Sequence, residues 1–280
     1  MPEPLLPLAQ WTNDALGQVQ PGAILQALGD GVGTATGALQ AALATGPWWL
    51  LPLCLGALAL GRRRIGLALF VVAALGLVEA LGFGGQMRDT LAQVGAATLI
   101  SLGVGIPAGI LAGHSPRLAA WLRPMLDFMQ TMPAFVYLIP AVMLFGLGVV
   151  PAVLATVIFA VPPVVRLTTA GIRGVEREVL EAGRILGAGP WQLLLCVRLP
   201  YALPAIMAGV NQTIMMALSM VIVASMVGGG GLGGEVLSGI QRLDMGQGFA
   251  SGLSVVLLAM VLDRLTEALL PAFGPAHDTR

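Results

Sequence analysis

Between residues 45 and 269 the chain passes through seven stretches of mostly apolar residues, most of them close to the length of a membrane crossing. A bilayer-spanning helix needs about 20 such residues. The stretches cover about 45–60, 65–83, 91–112, 132–148, 149–168, 203–227 and 248–269. The first is short and the fourth and fifth nearly abut, which leaves the count open by one. Only 10% of the residues are charged, against about 25% in a soluble domain. Mean hydropathy is +0.88. So few charges cannot solvate a surface, and most of this one must face lipid.

Arginine placement orients the spans. All fourteen basic residues are Arg. An alternating seven-span topology puts Arg62, Arg63, Arg64, Arg117, Arg123, Arg166, Arg173, Arg177, Arg184, Arg198, Arg264 and Arg280 on one side, with Arg88 and Arg242 opposite. Positive residues mark the cytoplasmic face. The N-terminus is then expected outside and the C-terminus inside. Residues 1–44 are too polar to span and read as an extracytoplasmic or interfacial segment: a helix broken at glycines, or an unstructured lead-in. With no basic residue before its first apolar run, the start of the chain predicts no cleavable signal peptide.

Zero formal net charge gives no reason to expect nucleic acid as a partner. Cys54 and Cys196 lack metal-ligand spacing, His114 and His277 are far apart, and no metal site is expected. The run GGGGLGG, Gly228 to Gly234, formally contains G-x-G-x-x-G, but it follows an apolar span rather than a strand and reads as a flexible turn. LSGIQ, Leu237 to Gln241, resembles an ATPase signature only by chance, since the chain has no Lys for a phosphate loop. Nothing looks catalytic. Glu79, near the outer end of the second span, reads as a snorkelling interfacial acid rather than an ion-coupling group.

In the third span Ala97, Ser101, Gly105, Gly109 and Gly113 recur every four residues. That register lays small side chains along one helix face, where a neighbouring backbone can come close. Pro107 should bend the helix.

Residues 170–202 are the longest water-facing stretch between spans. Val175, Val179, Ala182 and Leu186 fall at helical spacing and predict an apolar stripe held against the membrane face. Arg177, Glu181 and Arg184 charge another face. Gly187 and Gly189 can end that helix and Pro190 can start the next. A structured amphipathic loop suggests a docking site for a partner.

Glu181-Ala182-Gly183, then Gly187, then Val197-x-Leu199-Pro200 resemble the EAA loop of ABC importer permeases, E-A-A-x-x-x-G-x(9)-I-x-L-P. Gly183 stands for the second Ala and Val197 for the Ile. Gln130 to Arg173 resembles the permeases of glycine betaine, proline betaine and choline importers. The resemblance covers about 88–268, the permease core, with two peripheral helices in 45–87 and a cytoplasmic tail at 269–280. It implies an all-α polytopic protein of the type I ABC importer permease fold in the bacterial inner membrane. It further implies a homodimer, a separate ATPase in two copies that uses ATP and Mg, and an extracytoplasmic substrate-binding protein. Glu181, Ala182, Gly183 and Gly187 would then form the coupling contact, with Leu199 and Pro200 setting the return into the membrane.

A quaternary ammonium is held by cation–π contact. Aromatics are 5% of the chain, and Phe135, Tyr137, Phe145 and Phe159 are scattered in sequence, so selective binding is expected in the partner binding protein. Met132, Phe135, Tyr137, Met215, Met216, Ser219 and Met220 are the candidate pathway or gate residues, with ordinary packing as the alternative. Rival readings are an importer permease for an amino acid or sulfonate, and an ion-coupled carrier or channel acting alone.

Overall fold

A computed structural model of the chain describes residues 22–269. His277 and nearly all of the tail expected at 269–280 lie outside the described residues. Within them the chain is all helix and connection. The helices are α1 (Ala23–Ala44), α2 (Leu50–Gly61), α3 (Ile65–Ala80), α4 (Gly84–His114), α5 (Pro116–Thr131), α6 (Ala134–Phe145), α7 (Val149–Arg173) and α8 (Arg177–Ile185). They continue as α9 (Pro190–Gly229), α10 (Gly231–Gln241) and α11 (Met245–Leu269).

Four of these, α4, α7, α9 and α11, are long and apolar enough to cross a membrane, and a fifth crossing arises if α5 and α6 count as one. The other expected spans take different forms. α2 and α3 have 12 and 16 residues. At 1.5 Å per residue they reach about 18 and 24 Å, short of a hydrocarbon core of about 30 Å. The run at 132–148 is not a straight span: α6 holds only its middle, and α5 and α6 meet at 94°. Met132 precedes Pro133 and is extended, with ψ 135°, as a residue before proline prefers. At the other end Gly146 and Gly148, with φ of +76° and +145°, separate α6 from α7.

α7 is the central strut, packed between α4 and α9. The register of small residues in α4 is the line of contact. Ala97, Ser101, Gly105 and Gly109 are buried. A Cβ added at Gly105 would lie 2.4 Å from Val164, at Gly109 2.6 Å from Thr168 and 2.9 Å from the Val165 carbonyl, and at Gly113 2.5 Å from Ile172. Val164, Thr168 and Ile172 are themselves four apart, so two ridges mesh. Hydroxyls tie the helices across the contact: Thr169 donates to Gly109 O at 3.2 Å and Thr213 of α9 to Ala160 O at 3.1 Å.

The main core joins Leu75 and Val78 of α3, Val94 of α4, Val153 of α7, Val221 of α9 and Leu258 of α11. α1 is one unbroken helix laid over α4 and α7, and its glycines do not interrupt it. Gly29 gives the Phe145 ring room, and Gln40 donates to Asp89 at 3.3 Å. Glu79 does not snorkel. It is 13% exposed, 3.6 Å from the Arg88 guanidinium, and packs over Gly84, where a Cβ would collide with its carboxylate. A buried acid beside an arginine is held by that charge rather than by water.

Candidate functional site: the α8 loop helix and the α9 face

α8 hangs between the ends of α7 and α9. Those ends press together, since a Cβ at Gly171 would lie 2.9 Å from Ala205 Cβ and 3.1 Å from the Ala202 carbonyl. α8 ends at Gly187, φ +82°, in a motif where Ala188 N–H donates to Gly183 O at 3.0 Å and Gly187 N–H to Arg184 O at 2.9 Å. Pro190 opens α9 as the spacing predicts, and Gly189 N–H donates to Gln192 Oε1 at 2.8 Å. Gly187→Val should destabilise the loop by about 1–2 kcal/mol through its left-handed backbone alone. No atom lies within 4 Å of its added Cβ, so a drop in loop protection to proteolysis, without a change in the span melting temperature, checks it.

The expected apolar stripe does not lie on the protein's own surface. Val175 is buried just before α8, but Val179 and Ala182 are exposed and Leu186 is 87% exposed. The inward side of α8 carries Leu180 and Gly183 instead, half-buried against the start of α9. A Cβ at Gly183 would sit 2.7 Å from Leu193 Cδ2, so glycine here lets the two segments close. Ile185 and Trp191 join Leu186 in an exposed apolar patch, at 86% and 75%. Glu181 is exposed, and among the described residues it forms no ion pair with Arg177.

α9 begins with a wide turn over Leu193–Arg198. Leu199 N–H reaches Leu194 O, five residues back, and Pro200 has no N–H to give. Leu199 packs beside Ile172 and Ile206. A second wide turn covers Ser225–Gly229 and leads into a built hairpin, not a flexible one. Gln93 donates to Gly229 O at 2.7 Å and Thr90 Oγ accepts from Leu232 N–H at 2.9 Å. Gly228, Gly230 and Gly231 all have positive φ, which glycine adopts without penalty.

The seven pathway candidates divide. Tyr137 and Met220 are buried in one cluster with Met132 packed against it, and Tyr137 meets Phe159 edge-on at 6.3 Å. Two of the aromatics scattered in sequence are thus paired. Met216 packs on the main core, Met215 is half-buried, and Phe135 and Ser219 are exposed.

Residues 105–275 match the family described as "Binding-protein-dependent transport system inner membrane component". This chain belongs to that family. It is 44% identical, over 95% of its length and 96% of the relative's, to the glycine betaine/carnitine transport permease protein GbuB of Listeria monocytogenes. Identity is 52% to the glycine betaine/proline betaine transport system permease protein ProW of Escherichia coli, over 73% of this chain. The matched part is 58% of that relative's length. The glycine betaine transport system permease protein OpuAB of Bacillus subtilis is 43% identical over 85% of this chain and 86% of the relative. A structure of the MetNI methionine ABC transporter, inward facing, matches with a TM-score of 0.57 at 22% identity, over 66% of this chain and 91% of that one. That likeness is one of fold: an importer-permease arrangement of helices.

An inner-membrane chain makes the exposed face of α9 informative. Tyr201, Pro204, Ala208, Gln212 and Ser219 lie on it at helical spacing. A carboxamide left without a partner in hydrocarbon costs several kcal/mol. Gln212 therefore marks a face turned to water or to another protein surface. Hydropathy reading missed it, because one Gln hardly lowers the mean of an apolar run. The signal available was its spacing, seven residues before Ser219.

Proposed function

We propose that this chain is the permease subunit of an ATP-driven importer for quaternary-amine solutes: glycine betaine, proline betaine, choline or relatives. Relatives 43–53% identical that carry glycine betaine transport in their names are the observation that carries the cargo. Two copies pair, with the Gln212–Ser219 faces of α9 turned toward a shared pathway beside Phe135. A substrate-binding protein delivers the solute from outside, where the orientation set by the arginines puts the N-terminus.

Two copies of a separate ATPase use ATP and Mg, and each receives one EAA loop. The exposed Ile185, Leu186 and Trp191 provide the apolar contact, and Glu181 with Ala182 and Gly183 lies alongside. Gly187 fixes the loop's end, and Leu199 and Pro200 set the return into α9. Closure of the ATPase pair moves α8, and with it the joined ends of α7 and α9.

Proteoliposomes holding the chain, its ATPase and its binding protein test this. Glycine betaine or choline should accumulate only with ATP. Accumulation by the chain alone on an ion gradient would establish a carrier instead, and uptake of an amino acid or sulfonate in preference would change the cargo. Glu181→Arg should lower ATP-driven uptake about tenfold, the loss of one charge-assisted contact, with membrane insertion intact.

A further inference from the structure

Beside the loop, the end of α4, the helix α5 and the last turns of α7 enclose a cavity of about 340 Å³. Its apolar lining includes Ala119, Leu122, Leu126 and Val165. Among these stand Arg123, Arg166 and Arg173 with a single acid, Asp127. Arg166 pairs with Asp127. Arg173 donates to Ala112 O at 2.8 Å, a carbonyl that Pro116 leaves without its helical N–H, and to Ser115 O at 3.3 Å, and among the described residues no acid pairs with it. Arg123 is exposed, and among the described residues it has no partner. The cavity thus holds two positive charges beyond its own neutralisation.

α5 sets the depth of this cavity. Ser115 caps it, accepting from Leu118 N–H at 3.3 Å, and Pro116 begins it. Its outward side exposes Trp121, Met125 and Phe128 at 74%, 52% and 63%. A helix that turns Trp121, Met125 and Phe128 outward and Arg123 toward the cavity suits the headgroup level of a bilayer. Basic pockets between membrane helices at that level suit anionic headgroups, and guanidinium forks match phosphate oxygens.

We propose that this cavity binds the phosphate headgroup of an anionic lipid from the leaflet on the α8 side, its glycerol and first methylenes lying against the apolar lining at Ala119 and Leu122. Bound there, the lipid joins α5 to the last turn of α7, four residues before α8 begins. The inference rests on the membrane orientation proposed above only for naming that leaflet cytoplasmic.

Native mass spectrometry of the full chain, released from detergent holding equal phosphatidylglycerol and phosphatidylcholine, tests it. Phosphatidylglycerol should be retained preferentially. Arg123→Gln should lower its affinity about tenfold, as for one charge-assisted contact, while Arg123→Lys keeps most of it. Arg117→Gln, at the start of the same helix and outside the cavity, should change nothing. Equal retention of the two lipids, or no loss in Arg123→Gln, would overturn the site. So would excess inorganic phosphate that displaces the lipid and stays bound itself, which would make the ligand a free anion. The readout needs neither ATPase nor solute, so its failure beside intact betaine uptake rejects the lipid site alone.

Discussion

Gly109→Leu is expected to cost the protein about 3 kcal/mol of stability, while Gly103→Leu six residues earlier costs within about 0.5 kcal/mol. Both glycines lie in α4 and both substitutions add the same apolar atoms. Only Gly109 faces α7, where a Cβ would stand 2.6 Å from Thr168 and 2.9 Å from the Val165 carbonyl. A backbone carbonyl cannot swing away as a side-chain tip can, so the two helices must part. Parting them also removes the bond from Thr169 to Gly109 O. Gly103 has no atom within 4 Å of the added Cβ and is exposed. Melting of the purified chain in mild detergent reads both. Equal melting temperatures for the two variants would mean that α4 and α7 do not meet at this seam.

The second large effect concerns α8. Leu186→Asp should weaken binding of the partner ATPase about 30-fold, the loss of an apolar anchor of about 2 kcal/mol, and should lower uptake in parallel. Leu186 is 87% exposed, and its neighbour Ile185 is 86% exposed, so neither supports the fold of this chain. The melting temperature should stay put. Titration of the ATPase onto the reconstituted permease measures the affinity directly. Binding unchanged in Leu186→Asp, with the protein folded, would remove the patch from the interface.

Particular residues show what could be read from the sequence. The four-residue register from Ala97 to Gly113 was legible because small side chains at helical spacing have few uses besides close packing. Gly187 and Pro190 were legible because left-handed backbone and a missing N–H are properties of the residue itself. The bend at Met132 and Pro133 was not, since hydropathy averages over a window and does not see backbone. The orientation of the Val179–Leu186 stripe was hidden for another reason. Periodicity shows that a face is apolar, but not whether its cover comes from the same chain. Glu79 was misread because its partner, Arg88, belongs to a different helix and looked like an isolated outer charge. The spacing of Gln212 and Ser219 puts them on one side of α9, but only the folded surface shows that this side is exposed.

The regular part of α9, Leu199–Ala224, has 26 residues, and its two prolines, Pro200 and Pro204, both fall in its first two turns. It is therefore a rod of about 39 Å, longer than the hydrocarbon core is thick. Its two ends are the wide turns at Leu193–Arg198 and Ser225–Gly229. A rod so bounded does not absorb a displacement along its length but passes it on. It is held to α7 at several levels, at Gly171 against Ala202, at Gly209 against Val164 and through the Thr213 bond to Ala160 O, while Val221 sits in the main core near its far end. α7 and α9 are thus braced to shift as one body, and neither is built to swing about a single hinge.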